Sequence, residues 1–183
     1  YLLGGLLPLC TSRPHLQNIL THGAAAVAGL AGIVLGFVGL FAAQPLTLSV
    51  PSNIPFLTFA LRLDPLAAFF VLTVSLVGLA VSMYARGYVG EYAGRVSVGL
   101  LGSLLNGFLL SMTLVVLADN GFFFLILWEV MSLLSYVLVV TDHERPGVRE
   151  AGLFYLIMTH VGTAFIILTF VIFSQEAGSF SFE

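Results

Sequence analysis

A single carboxylate, Glu129, stands inside the 19-residue stretch Phe122–Val140, which holds no other charge. A run of that length crosses a bilayer as a helix. An acid in hydrocarbon costs about 2.5–3.5 kcal/mol on insertion scales, so one that is kept there has a use. That use is a proton or ion relay, or a structural hydrogen bond to a neighbouring helix. Ser132 and Tyr136 follow at i+3 and i+7 and share the helix face of Glu129. Phe123, Ile126, Leu127, Leu133 and Leu134 cover the remaining surface. The narrow polar stripe must therefore face other helices or a hydrated cavity rather than lipid.

A second stripe lies in Ala151–Phe173, where Tyr155, Thr159 and Thr163 recur at i+4 with His160 beside them. Glu129 is seven steps past Phe122, about 10 Å from one membrane surface. His160 is nine steps past Ala151, about 13–14 Å from the opposite surface. Adjacent antiparallel helices would bring the two to similar depth, within reach of a side chain plus one or two waters. An imidazole carries protons near neutrality, which makes His160 a second relay candidate. Its alternative role is that of a neutral ring donating to a backbone carbonyl. A glutamate that alternates between a dry environment and one beside a cation can take up a proton on one side and release it on the other. The chain does not visibly supply that cation: it has no lysine, and Arg145 and Arg149 belong to a helix end.

The elements that carry these stripes follow from composition. The chain is 59% hydrophobic and only 8% charged, with mean hydropathy +1.08, against about 25% charged residues in soluble domains. It reads as an all-α polytopic membrane protein forming one membrane domain over 1–183. Five complete spans are expected at 22–43, 65–85, 99–118, 121–140 and 151–173, with a partial helix at 1–10 and a loop at 174–183. Tyr1–Cys10 has no basic region ahead of its apolar run and reads as the trailing part of a transmembrane helix, not a signal peptide. Both ends are expected to be internal to a longer protein. Asp64-Pro65 marks a helix start, and Asn120-Gly121 a tight turn. Gln44–Asp64 carries Pro45, Pro51 and Pro55 and is not a helix; Leu57–Asp64 alternates weakly as a strand does. Gly32-xxx-Gly36 is a close-packing motif.

Loops 11–21, 86–98 and 141–150 fall on one side and hold Arg13, Arg86, Arg95, Arg145 and Arg149, leaving only Arg62 on the other. The positive-inside rule places those three loops in the cytoplasm. Arg62 is expected to pair with Asp64. Asp119 is expected to be solvated at the outer turn, Glu91 in a cytoplasmic loop, and Asp142, Glu144 and Glu150 in surface pairs with Arg145 and Arg149. One cysteine, Cys10, excludes an internal disulfide and a cysteine-based metal site. The arginines form no patch for nucleic acid. No flavin, iron–sulfur or nickel motif is present, so no cofactor or metal is expected in this chain.

From Leu61 to Phe173 the chain resembles the antiporter-like membrane subunits of respiratory complex I and energy-converting hydrogenases. LRLDPLAAFFVL, YARGYV, WEVMSLLSY and AGLFYLIMTHVGTAFI carry the likeness; within the family, YLIMTHVGTAFI is most similar to the hydrogenase-4 component B and formate hydrogenlyase branch. The resemblance implies the front part of a bundle of about fourteen helices with an internal inverted repeat. It implies that Glu129 matches a proton-path glutamate paired with a lysine on a later helix. It also implies membrane-subunit partners in a redox-driven complex, of NADH dehydrogenase or group 4 hydrogenase type, in a prokaryotic inner membrane. The translocated ion is H⁺ or Na⁺. Two other readings stand beside this one: a structural scaffold in which Glu129 only fixes packing, and a quinone site built on His160 and Tyr155.

Overall fold

A computed structural model describes residues 1–54, 57–89 and 96–182. The chain opens with a short helix, α1 (Leu2–Leu6), running into a 3-10 turn at Leu7–Cys10. Five long helices follow: α2 (Pro14–Leu40), α3 (Pro65–Tyr88), α4 (Val98–Leu117), α5 (Gly121–Val139) and α6 (Val148–Ala177). All five are long and apolar enough to cross a membrane. The protein is an all-α polytopic membrane protein; among the described residues, one two-stranded hairpin lies outside the spans.

Helix boundaries follow capping chemistry more than hydropathy. α2 begins eight residues before the expected position 22, because Pro14 is pre-set for a first turn. The Gln17 side chain then ties that turn down, donating to the Thr11 carbonyl at 2.7 Å and accepting from Gly99 N at 3.1 Å. The expected loop 11–21 thus shrinks to Thr11–Arg13. Asp64, Ser97 and Asn120 each accept from a first-turn amide and start α3, α4 and α5. α6 overruns the expected 151–173 at both ends and stops only at Gly178, whose φ of 69° is the left-handed cap that favours glycine.

Between α2 and α3, β1 (Leu46–Pro51) pairs antiparallel with β2 (Thr58–Leu63), Leu46 opposite Leu63 and Pro51 opposite Thr58. The expected strand is β2; its partner β1 was not expected. β2 also receives Asp119 N on the Ala60 carbonyl at 2.9 Å, so the hairpin covers the α4–α5 turn. The expected terminal loop instead docks on the same turn, with Gly121 N donating to Phe180 O at 2.7 Å. These contacts bury Asp119 to 9% exposure, which corrects its expected solvation. Arg62 lies 3.9 Å from Asp64, as expected.

The core lies between α2 and α3, where glycines allow backbone-level approach. A Cβ on Gly36 would stand 2.8 Å from Leu72 Cβ, and one on Gly39 2.7 Å from Ala68 Cβ; Gly32 faces the Ser75 hydroxyl. α4 closes this pair through Asn106, fully buried, whose amide donates to Thr21 O at 3.2 Å and Gly102 O at 3.0 Å. At the end opposite the hairpin, Asn18 donates to Arg86 O at 2.9 Å. A recess there gathers Tyr88, Val96, Leu138, Thr141, Arg145 and Val148 from α3 to α6. Arg13, Arg86, Arg145 and Arg149 therefore share one end of the bundle and Arg62 the other; Glu91 and Arg95 fall outside the described residues.

Candidate functional site

α5 and α6 run antiparallel, and three polar contacts step down one as they climb the other. Trp128 Nε1 donates to Thr163 Oγ1 at 3.2 Å. His160 Nε2 lies 3.8 Å from Glu129 Oε2. The hydroxyls of Ser135 and Tyr155 meet at 2.6 Å. The equal-depth expectation for Glu129 and His160 thus holds, and the two are closer than a gap spanned by waters. Near the arginine-bearing end the helices draw together where Gly152 faces Val140 and the Tyr136 ring.

Expected stripe residues divide by what they touch. Tyr155 and Thr163 cross to α5, whereas Thr159 Oγ1 donates to Leu156 O of its own helix at 2.9 Å. Ser132 is buried, with no hydrogen-bond partner for its Oγ among the described residues. Trp128 and Ser135, which do cross the seam, escaped the sequence reading. They are seven residues apart and so share a face, and an indole N–H in a span needs an acceptor; those were the available signals.

His160 makes two different contacts. Its Nδ1 lies 2.9 Å from Leu156 O. A carbonyl only accepts, so Nδ1 carries the hydrogen, and Nε2 is the nitrogen that gains or loses a proton. That nitrogen faces the Glu129 carboxylate. At 3.8 Å the two groups face each other just beyond hydrogen-bonding distance. Exposures of 33% for the Glu129 side chain and 48% for His160 put the pair at the edge of this bundle.

The fold and this polar seam define a membrane-embedded helical subunit, and comparison with known proteins gives its family. Residues 54–96 match the family model described as NADH-ubiquinone oxidoreductase (complex I), chain 5 N-terminus. Residues 118–183 match the one described as NADH:quinone oxidoreductase/Mrp antiporter, transmembrane. Hydrogenase-4 component B of Escherichia coli is 34% identical over 85% of this chain and 23% of its own length. NADH-quinone oxidoreductase subunit L of the same organism is 29% identical over 91% of this chain and 28% of its own. Among solved structures, that of the membrane-bound sulfane sulfur reductase, an archaeal respiratory membrane complex, superposes with a TM-score of 0.77 at 15% identity, covering 97% of this chain and 35% of that one. The chain belongs to the complex I/Mrp antiporter-like family of membrane subunits. It spans about a quarter of the length of these curated relatives.

Proposed function

We propose that this chain works in proton translocation within a redox-driven membrane complex of the NADH dehydrogenase or group 4 hydrogenase type, with Glu129 and His160 sharing the transferred proton. The observation that carries this reading is the double engagement of His160: Nδ1 on Leu156 O and Nε2 facing Glu129 at 3.8 Å. A carboxylate and an imidazole that face each other this way exchange one proton, once they close to hydrogen-bonding distance or through one water, without creating a net charge, which lowers the cost of holding it in hydrocarbon. Tyr155, Thr159, Thr163, Ser132 and Tyr136 support the pair by fixing the two helices or lining its approach.

The arginine-bearing end faces the cytoplasm of a prokaryotic inner membrane in this reading, since basic residues are retained on that side. The hairpin end is then outer. Further helices of the same bundle, together with neighbouring membrane subunits, cover the part-exposed pair, and partner subunits hold the redox centres.

The test is Glu129→Gln in the intact complex, assayed in inverted vesicles by substrate-driven proton uptake. The expected result is loss of uptake with assembly retained. If uptake per assembled complex is unchanged while assembly or thermal stability falls, Glu129 is a packing residue and the chain a scaffold.

A further inference from the structure

The recess at the arginine-bearing end is a cavity of about 300 Å³ between the last turns of α3 and α5 and the first turns of α4 and α6. Its lining divides by polarity. Leu101 of α4, Leu138 of α5 and Val148 of α6 form an apolar wall, and Asp142 and Arg145, in the turn between α5 and α6, set two opposite charges beside it. Those three apolar residues each lie within one turn of a helix end. The cavity therefore stands where the spans meet water, at the depth of lipid headgroups. Tyr84 and Tyr88, stacked on the last turns of α3 with ring centroids 5.4 Å apart and both exposed, mark the same level, since tyrosine gathers at membrane–water interfaces.

The two charges are not an ordinary solvated ion pair. Arg145 Nε lies 3.7 Å from Asp142 Oδ2, beyond hydrogen-bond distance. The Asp142 side chain is only 22% exposed, and its Oδ2 is buried with no hydrogen-bond partner among the described residues. A carboxylate kept largely from water is costly unless donors reach it. With 66% of its side chain exposed, Arg145 keeps donors open for an anionic group.

A ligand that satisfies both needs a donor cation and an acceptor anion a few ångströms apart, on an apolar tail. A phospholipid with a primary ammonium headgroup has that form. Its ammonium carries N–H donors for Asp142, its phosphate accepts from the guanidinium, and an acyl chain continues along the apolar wall. A trimethylammonium headgroup has no N–H to give, and an anionic glycerol headgroup has no cation for Asp142.

We propose that this recess binds a zwitterionic phospholipid of the phosphatidylethanolamine type, its ammonium on Asp142, its phosphate on Arg145 and an acyl chain against Leu101 and Leu138. The site stands apart from the relay reading, since neither Glu129 nor His160 lines the recess. A lipid seated there touches elements from α3 to α6 and fixes the α5–α6 turn against the rest of the bundle.

The test uses the full-length protein in its own complex, reconstituted in vesicles doped in turn with phosphatidylethanolamine, phosphatidylcholine or phosphatidylglycerol carrying the same photoactivatable acyl chain. After illumination, peptide mass spectrometry locates the label and counts it per assembled complex. Label on residues 98–101 and 137–141 should be about tenfold or more higher from phosphatidylethanolamine than from phosphatidylcholine, the scale of one hydrogen bond to a charged group. It should fall by a similar factor in Asp142→Asn, which keeps the shape and loses the charge, and in Arg145→Gln. The comparison of lipids on the wild type decides the question even where a variant fails to assemble. Equal label from all three lipids makes the recess ordinary bilayer contact and overturns the proposal. Stronger label from phosphatidylglycerol overturns it in favour of an anion site on Arg145 alone. Absence of label from every lipid overturns it in favour of a further helix or a partner subunit filling the recess. Selective label that is indifferent to Asp142→Asn overturns the headgroup assignment, and the proposal with it.

Discussion

Ser135 and Tyr155 meet hydroxyl to hydroxyl at 2.6 Å across α5 and α6, on the side of the Glu129–His160 pair away from the hairpin. Ser135 Oγ also lies 2.7 Å from the Ser132 carbonyl, which can only accept. The serine hydrogen therefore goes to that carbonyl, and Tyr155 is the donor across the seam. This contact and the Trp128–Thr163 bond bracket the Glu129–His160 pair and set the rotation of one helix against the other. Tyr155→Phe should cost about 0.6–1.7 kcal/mol, the range found for interhelical hydrogen bonds in membranes. Ser135→Ala should cost a similar amount, and the double variant less than the sum of the two. Reversible denaturation in mixed micelles measures all three; additive costs would mean that the two hydroxyls do not interact.

The commitment of His160 Nδ1 to Leu156 O leaves only Nε2 to face Glu129, so in the proposed relay no side chain that cannot hold a proton replaces His160. His160→Phe removes the base facing Glu129 and should cut driven proton uptake by about tenfold or more, the scale on which a positioned acid–base group acts. His160→Gln keeps a polar group in reach but cannot hold a proton, so it should be impaired to a similar degree. The paired readout is infrared difference spectroscopy during turnover. Wild-type complex should show a carboxyl signal that Glu129→Gln abolishes and His160→Phe shifts or silences. A signal and an uptake rate indifferent to both His160 variants would leave the histidine a structural ring.

How much of this was legible in the sequence depends on whether the signal was local. The long spans were legible because each is an unbroken apolar run, and Glu129 because it interrupts one. The depth match to His160 also followed from counting residues along two spans. Strand β1 was harder: Leu46, Leu48 and Val50 alternate as a strand does, but prolines at 45, 51 and 55 mask the pattern, and all of its residues are exposed. The burial of Asp119 was not legible at all. It arises when β2 and the segment after α6 converge on the α4–α5 turn, a meeting of three distant stretches. Trp128 and Ser135 were visible as residues, but helix rotation decides which neighbours cross a seam, and spacing along one helix does not encode it.

The α2–α3 seam predicts where small size is essential. A Cβ on Gly36 would meet Leu72 Cβ at 2.8 Å and the Ala68 carbonyl at 3.0 Å. The second contact is backbone and cannot rotate away. Gly36→Ala should cost about 1–3 kcal/mol from overpacking, and Gly36→Leu should separate the helices and prevent assembly. Gly23, with nothing near its own Cβ position, should accept alanine at no loss and gain slightly from helix propensity. Thermal unfolding in detergent compares the two alanine variants directly. Equal tolerance at positions 23 and 36 would contradict the close approach of α2 and α3.

The start of α3 is held by a cap and an ion pair at the hairpin end of the bundle. Asp64 Oδ1 accepts from Ala67 N at 2.8 Å, satisfying one of the unpaired amides of the first helical turn, while Oδ2 lies 3.9 Å from Arg62 Nε. Asp64→Asn keeps a capping oxygen and should cost little stability, whereas Asp64→Ala removes the cap and should cost about 0.5–2 kcal/mol. The guanidinium contact contributes less, because both side chains are about one-third exposed and water screens the pair. Raising salt should therefore leave the difference between wild type and Asp64→Ala nearly unchanged. Denaturation at low and high ionic strength measures this. A difference that collapses in high salt would make the ion pair, rather than the cap, the reason for an aspartate at the start of α3.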